Sequence, residues 1–315
     1  MFMAIALIAA VIARLVAGPQ GVDPPRDALE WSLRGWRIAA GLSVGAALAV
    51  SGVALQALLR NPLAAPSILG LTAGAGFGVT LATYLGVATA GALAGAGGSA
   101  LAALVGSVSA LAIVYLLAQK RGLVDPVALI LVGVVVSMIA GAGTVLLQHL
   151  MPDRGLVASM RWLFGSLRDD TPRPLIVAVG ALTGAGVILV ARLGPAMDAA
   201  ALDDDEALSV GLRLHRLRLA LLALAGVLTA SSVLLAGPVG FVGLICPHAV
   251  RLCAGPANRT VVIGSALLGA GAIVAADALV RVIDLGGGRM PIGVLTAIVG
   301  GPVFIWLLRV RWVRP

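Results

Sequence analysis

Long apolar runs with almost no charge occupy most of the chain, and they constrain the fold more than any other feature. Such runs recur along the whole sequence, and residues 125–149 form one of the clearest. Only 11% of the 315 residues are charged, whereas soluble domains carry roughly a quarter. So few charges cannot cover a soluble core, because 60% of the residues are hydrophobic. We therefore infer that a lipid bilayer supplies the apolar solvent.

The length of the runs indicates membrane-spanning helices rather than the strands of a barrel. A spanning helix needs about 20 mostly apolar residues, whereas barrel strands alternate in polarity between girdles of aromatic residues. The 41 glycines and the 4% of aromatic residues favour closely packed helices. The runs and their breakers predict ten spans, at residues 1–17, 36–59, 68–88, 99–118, 125–149, 174–193, 217–236, 240–254, 260–283 and 292–309. We predict an all-α, polytopic membrane protein with about ten transmembrane helices, forming a single domain over residues 1–315.

An even number of spans places both termini on the same side of the membrane. Basic residues are slightly more frequent in the loops of that side, and the positive-inside rule assigns it to the cytoplasm. Residues 194–216 then form the longest cytoplasmic loop. Arg34, Arg37 and Arg281 fall on the outer side, where the rule disfavours arginine. They are either anchors to lipid phosphates or a basic surface that captures an acidic partner or ligand.

The long cytoplasmic loop carries the pattern of a short amphipathic helix. Acidic residues at positions 203–206 suit a helix N-terminus, because the macrodipole favours anions there. Ala207, Leu208 and Leu212 then form an apolar stripe, and Gly211 fits a C-terminal turn. Such a helix has no core of its own, so we expect it to dock on another protein. The alternative is a solvated loop.

The helical pattern is interrupted at two places inside the apolar sequence. Asn61, Pro62 and Leu63 precede a second proline, Pro66, and the two prolines end one helix and start the next. The other interruption is at residues 237–240. Broken helices survive in a membrane where protein or a cavity satisfies the freed backbone groups. Either a transport path or an ordinary packed kink explains the pattern.

The sequence offers little chemistry of its own. It lacks the GxxxxGK[ST] phosphate loop, and two cysteines and three histidines give no cluster with metal-ligand spacing. We therefore expect no catalytic, cofactor-binding or metal site and no enzyme activity. The ionisable residues within the spans have a functional or a structural role, and they are Asp277, His149, His248 and Arg251.

The energy for any transport should then lie on another chain. An ion-coupled secondary transporter is the alternative, although such carriers usually need more buried charge. A membrane enzyme is a third class, for which no nucleophile–base or metal constellation is present.

Four stretches of sequence carry a resemblance to a known family. They are residues 51–64 (SGVALQALLRNPLA), 162–167 (WLFGSL), 236–244 (AGPVGFVGL, followed by Pro247 and His248) and 291–302 (from PIGV to GGP). They occur in the family's order and span about residues 35–308. In these stretches the chain resembles the FecCD/BtuC-like permeases of type II ABC importers, which carry iron chelates, haem or cobalamin.

The resemblance implies a ten-helix permease subunit that pairs with a second copy of itself, with the ligand path at the dimer interface. It implies two separate ABC ATPase subunits, which would hold ATP and Mg, and a periplasmic or lipoprotein substrate-binding protein. The cargo would be a metal chelate, namely an iron–siderophore, haem or a cobalamin-type compound. The location would be the bacterial cytoplasmic (inner) membrane, in which the chain crosses the lipid bilayer several times. No nucleic acid is expected as a partner.

The resemblance also assigns roles to individual residues. Arg34, Arg37 and Arg281 match arginines that meet carboxylates of the binding protein. Asn61, Pro62 and Leu63 match a cytoplasmic gate loop. The coupling helix that contacts the ATPase matches Asp205, Glu206, Ala207, Leu208, Gly211 and Leu212. One departure is that Arg289 and Met290 precede Pro291, where the family often has an acidic residue and a leucine, so the outer loop is changed.

Overall fold

The chain folds into a bundle of α-helices. The computed structural model describes residues 2–18, 21–88, 96–120, 123–202, 204–209, 211–283 and 290–313. Within these ranges there are twelve α-helices, numbered α1–α12 in chain order. Their bounds are Phe2–Val16, Ala28–Leu58, Leu71–Ala88, Ala96–Leu117, Pro126–Leu150, Asp153–Leu163, Arg173–Ala199, Asp204–Ser209, Leu214–Ala236, Val242–Ala254, Asn258–Val282 and Ile292–Val313. Two small antiparallel pairs join Ala17–Gly18 to Gly21–Val22 and Gln119–Lys120 to Leu123–Val124.

Seven of the helices in the described ranges are long and apolar enough to cross a membrane, namely α2, α4, α5, α7, α9, α11 and α12. α1 and α10 are shorter apolar helices. The all-helical, polytopic fold is therefore confirmed. Each of the ten predicted spans overlaps one of the helices. The number of crossings and the cytoplasmic position of the termini stay predictions.

Side-chain caps fix where two of the long helices begin. The Asp27 carboxylate accepts a hydrogen bond from the backbone N–H of Glu30 (2.7 Å), and the Glu30 carboxylate accepts one from the backbone N–H of Arg26 (3.1 Å). Asp125 likewise caps α5 by accepting from the backbone N–H of Val127 (2.8 Å). Each cap satisfies amide groups that have no partner within the helix.

α2 lies at the centre of the bundle and packs against α7, α9, α10 and α11. Its contacts with α10 and α11 are made by backbone, because a Cβ on Gly52 would lie 1.9 Å from the Gly243 carbonyl oxygen and one on Gly45 would lie 2.0 Å from that of Gly269. Small residues allow such close helix packing in membranes. By contrast, α5 and α12 expose most of their apolar surface. The chain therefore has a tightly packed centre and apolar flanks.

The structure differs from the predicted elements at two places. The third span was predicted from residue 68, but a 3-10 turn at Pro66–Leu69 comes first, and α3 begins after Gly70, whose φ is +75°. α6 was not predicted. Its eleven residues include Asp153, Arg154 and Arg161, so it is too short and too polar to stand out as an apolar run.

The predicted helix in the long loop is present as α8, although it covers Asp204–Ser209 rather than residues 205–212. It ends because the N–H of Leu212 donates to the Ala207 carbonyl (3.1 Å) and that of Gly211 to the Leu208 carbonyl (2.9 Å). Gly211 has φ +82°. This is the Schellman arrangement of a helix C-terminus. Asp203 of the acidic run lies outside the described residues, as do residues 286–289 of the loop predicted to be changed.

Candidate functional site

The two ends of α2 mark the two candidate sites. The Arg60 end carries the predicted gate loop and α8, and the Arg37 end carries the predicted docking arginines.

At the Arg60 end, Asp204 joins α8 to the segment that follows α2. Its carboxylate lies 2.6 Å from Nη2 of Arg60 and accepts hydrogen bonds from Nη2 of Arg218 at 3.0 Å to each oxygen. Arg60, at φ +45°, also donates its Nε to the Ala200 carbonyl (2.9 Å). Burial opposes the ionisation of Asp204, but its ion pairs with Arg218 and Arg60 prevail, so the pKa of this carboxyl lies below its usual value.

The predicted gate loop is a tight turn organised by Asn61. The side-chain oxygen of Asn61 accepts from the N–H of Leu63 (2.9 Å), and its carbonyl accepts from the N–H of Ala64 (3.1 Å). Its own N–H donates to the Gln56 carbonyl (3.1 Å). Leu63 is 47% exposed. The turn therefore exposes the apolar side chain of Leu63 beside Pro62. It directly follows Arg60, which is ion-paired with Asp204.

α8 divides its side chains between the bundle and the surface. Ala207 is fully buried, whereas Leu208 is 56% exposed and Asp205 and Glu206 are also exposed. An exposed leucine beside two acidic residues leaves a surface that a partner can cover. The role of α8 as a coupling helix stays a prediction.

At the Arg37 end, one buried carboxylate holds two arginines from different helices. Asp277 of α11 accepts from Nε of Arg37 at 3.0 and 2.9 Å and from its Nη2 at 2.8 Å, and it also accepts from Nε of Arg14 in α1. Arg14 and Asp277 are 0% and 1% exposed. Charges this deep are tolerated only when they are paired. Asp277 was one of the ionisable candidates, and its contacts favour the structural role.

The three predicted docking arginines lie together, but they already have internal partners. Arg37 and Arg281 both donate to the carboxylate of Asp169, the latter from Nη2 at 3.1 Å. Arg34 donates from Nη1 to the carbonyls of Leu15 and Asp23, each at 2.6 Å. Arg34 and Arg37 are buried, at 7% and 9% exposure. Docking by these arginines stays a prediction, in which a partner must compete with or extend these contacts.

The other ionisable candidates occupy ordinary positions. His248 packs edge-on against Phe304, with ring centroids 5.9 Å apart. Arg251 donates to the side-chain oxygen of Gln56, and His149 is exposed at the end of α5. In the ranges that the structure describes, no group of three His, Cys, Asp or Glu side chains is arranged to hold a metal ion.

Three of the four sequence stretches converge at one backbone junction. The N–H of Ser166 donates to the Ala236 carbonyl (2.8 Å), and the N–H of Gly293 donates to the Gly165 carbonyl (3.2 Å). A Cβ on Gly165 would lie 2.0 Å from the Pro238 carbonyl oxygen. Backbone groups freed by the break between α9 and α10 are therefore hydrogen-bonded by other parts of the protein backbone, as a membrane requires. The sequence indicated these three stretches separately, but it carries no signal that they are in contact with one another.

Comparison with known proteins gives matches along almost the whole chain. The model of the FecCD transport family matches residues 2–310. The cobalamin import system permease protein BtuC of Halobacterium salinarum is 37% identical over 294 residues, which cover 93% of this chain and 77% of the relative. The vitamin B12 import system permease protein BtuC of Escherichia coli is 35% identical over 313 residues, which cover 97% and 93%.

A solved structure is similar over the same extent. It is described as an inward-facing conformation of a metal-chelate type ABC transporter, with a TM-score of 0.86 and 28% sequence identity. The superposition covers 98% of this chain and 97% of that chain. The similarity therefore concerns the whole helical arrangement and not one motif.

Proposed function

The chain belongs to the FecCD transport family, and on that premise we propose that it is the membrane-spanning permease subunit of an ATP-driven importer that brings a metal chelate into the cytoplasm. The observation that carries this proposal is the link from α8 through Asp204 to Arg60 and the turn at Asn61–Leu63. A partner that moves α8 would pull on the loop directly attached to it. Such a link is useful when the energy source lies on another chain.

The assembly that we propose contains four further components. A second copy of the chain would complete the ligand path, two ABC ATPase subunits would hold ATP and Mg and cover α8, and a substrate-binding protein would deliver the cargo. The exposed apolar faces of α5 and α12 suit contact with lipid or with the second copy. The bacterial cytoplasmic membrane is the proposed location.

The cargo that we would test first is a cobalamin-type compound. Two relatives that are 35–37% identical to this chain are named for cobalamin or vitamin B12 import. Iron–siderophore complexes and haem are the other proposed classes. The solved relative described as a metal-chelate type transporter is compatible with all three.

An ion-coupled secondary transporter remains the alternative function. A coupling site needs a buried group whose charge can change. The buried carboxylate of Asp277 instead lies between Arg14 and Arg37 and is fully paired. This arrangement favours the ATP-driven importer.

Reconstitution tests the proposed function. The chain, with its co-purified ATPase and binding protein, is placed in liposomes, and uptake of labelled cyanocobalamin, haem and an iron–siderophore is measured. We expect one of these cargoes to accumulate in the liposomes when ATP is supplied to the ATPase. It should not accumulate when a non-hydrolysable ATP analogue is supplied instead. Uptake driven by a proton or sodium gradient without ATP would contradict the proposal.

A further inference from the structure

A cavity of about 670 Å³ lies near the Arg37 end of the bundle, and none of the roles above uses it. Its walls come from α3, α4, α6, the start of α7 and the end of α9. Cavities of roughly 300–1,000 Å³ are the usual size of sites for small molecules. The cavity is therefore large enough for a compact solute.

The charge of this cavity comes from arginines. Arg154 and Arg161 line it from α6, where seven residues, or about 10 Å along the helix axis, separate them on one face. Both are exposed, and neither has an ion pair or a side-chain hydrogen bond within the described ranges. Arg168 also lines the cavity, but its charge is balanced by Asp170, which accepts hydrogen bonds from it at 2.9 and 2.6 Å.

The remaining walls do not offset this positive charge. The described residues that line the cavity include the hydroxyl side chains Thr83, Ser166 and Thr171 but no aspartate or glutamate. The indole of Trp162 and several small apolar residues complete the surface. Two uncompensated guanidinium groups facing one cavity favour a ligand with anionic oxygens, since arginine forms charge-assisted, often bidentate, pairs with carboxylates and phosphates.

We propose that this cavity binds a compact organic anion with several carboxylate or phosphate oxygens, held by Arg154 and Arg161. Its part in transport rests on the proposed function, because an anion at this end of the bundle would be a chelate entering the permease. Binding itself does not depend on ATP or on any partner. A phospholipid headgroup offers the same anionic oxygens, so the test has to separate a soluble anion from a lipid.

The test uses the purified full chain in nanodiscs of phosphatidylcholine, titrated calorimetrically with citrate and with its neutral ester, triethyl citrate. We expect citrate to bind and the ester not to bind. The Arg154→Gln/Arg161→Gln variant should bind citrate at least tenfold more weakly. Arg26→Gln is the matched control, since Arg26 is exposed and lies outside the cavity, and it should bind like the wild type. Equal thermal unfolding midpoints establish that both variants are folded.

Equal binding of citrate by the double variant and the wild type would overturn the proposal, as would equal binding of the ester and the acid. A second set of nanodiscs contains phosphatidylglycerol. Unchanged citrate affinity there supports a soluble anion, whereas loss of citrate binding to the wild type would overturn it and assign the cavity to lipid headgroups. Citrate binding without ATP-driven uptake of any cargo would instead contradict the importer function and leave the site standing.

Discussion

Asp277 shows how much depends on a single side chain inside this bundle. It is the shared acceptor for Arg14 and Arg37, so its loss would remove the counter-charge of the buried Arg14 and leave Arg37 with its pair to Asp169. For Asp277→Asn we expect a loss of about 3–5 kcal/mol of unfolding free energy, the usual cost of breaking a buried ion pair. The midpoint of thermal unfolding in detergent reports this loss of stability. Asp170→Asn, at an exposed pair, is the control, and an equal midpoint for both variants would contradict the prediction.

Among the three predicted docking arginines, Arg281 can be tested most cleanly. Changing Arg37 would also break its pair with Asp277, whereas Arg281 pairs with the half-exposed Asp169. Reversal in Arg281→Glu should weaken capture of the substrate-binding protein at low salt, because like charges would then oppose one another. Since one exposed pair contributes roughly 0.2–1 kcal/mol, we expect an effect of several-fold. Arg26→Glu is the control, and unchanged affinity at low salt would limit Arg281 to its internal contact.

The sequence predicted which arginines lie together at the Arg37 end, but it did not predict their burial or their ion-pair partners. Topology placed Arg34, Arg37 and Arg281 at one end, and the structure brings Arg37 and Arg281 to the same carboxylate. The burial of Arg37 was missed because its main partner, Asp277, is 240 residues away. Local periodicity carries no information about such distant pairing. The ion pair between Asp204 and Arg60 was missed for the same reason, because the two residues are distant in sequence.

At the scale of the helices, the contact between α2 and α10 leaves no room for a methyl group. A Cβ at Gly52 would meet a backbone oxygen, which cannot move aside as a side chain can. Overpacking costs typically about 1–3 kcal/mol, and we expect Gly52→Ala to lie at the upper end. Gly35→Ala in the same helix has nothing within 4 Å and should be neutral or stabilising, because alanine is the better helix former. Thermal unfolding compares the two, and equal midpoints would contradict the packing argument.

The attachment of α8 should depend on Asp204 and resist mild acid. Its pKa is lowered in the folded chain, so the stabilisation is complete at neutral pH and is lost only as pH falls through that lowered value. Hydrogen exchange at residues 204–209 should therefore show equal protection at pH 7 and about pH 5, after correction for intrinsic rates. Asp204→Asn should reduce the protection at pH 7, and Asp205→Asn should not. The same protection in both variants would mean that the ion pairs do not hold α8.

Helix prediction succeeded where the bilayer requires a long apolar run or where local signals mark the helix ends, and it failed for α6, which has neither. The long spans are recognisable because each one needs an uninterrupted apolar run. α6 carries Asp153, Arg154 and Arg161 and lies against the junction formed by Gly165 and its neighbours. Its position is set by tertiary contacts, which no single run of sequence encodes. α8 was found because its acidic start and glycine end are local signals.

At the scale of the whole molecule, the chain has no phosphate loop of its own, and we propose α8 as a surface for another subunit. We predict that the purified chain hydrolyses no ATP and that the assembly with its ATPase does. Phosphate release is measured before and after the ATPase subunit is added. A Leu208→Asp variant should still insert but should stimulate less, because burying an unpaired charge at the interface is costly. Hydrolysis by the chain alone would contradict the prediction.

The link between Arg14 and Asp277 also has a consequence for how the chain is made. The two residues are 263 positions apart, so at a synthesis rate of roughly 5–20 residues per second the arginine waits about 13–50 s for its counter-charge. During that interval a ribosome-bound chain holds a guanidinium in its first helix with no aspartate to meet it. Nascent chains stopped before α11 should therefore be retained by the insertion machinery or degraded by membrane proteases. Completion of α11 would then allow the subunit to leave the insertion machinery.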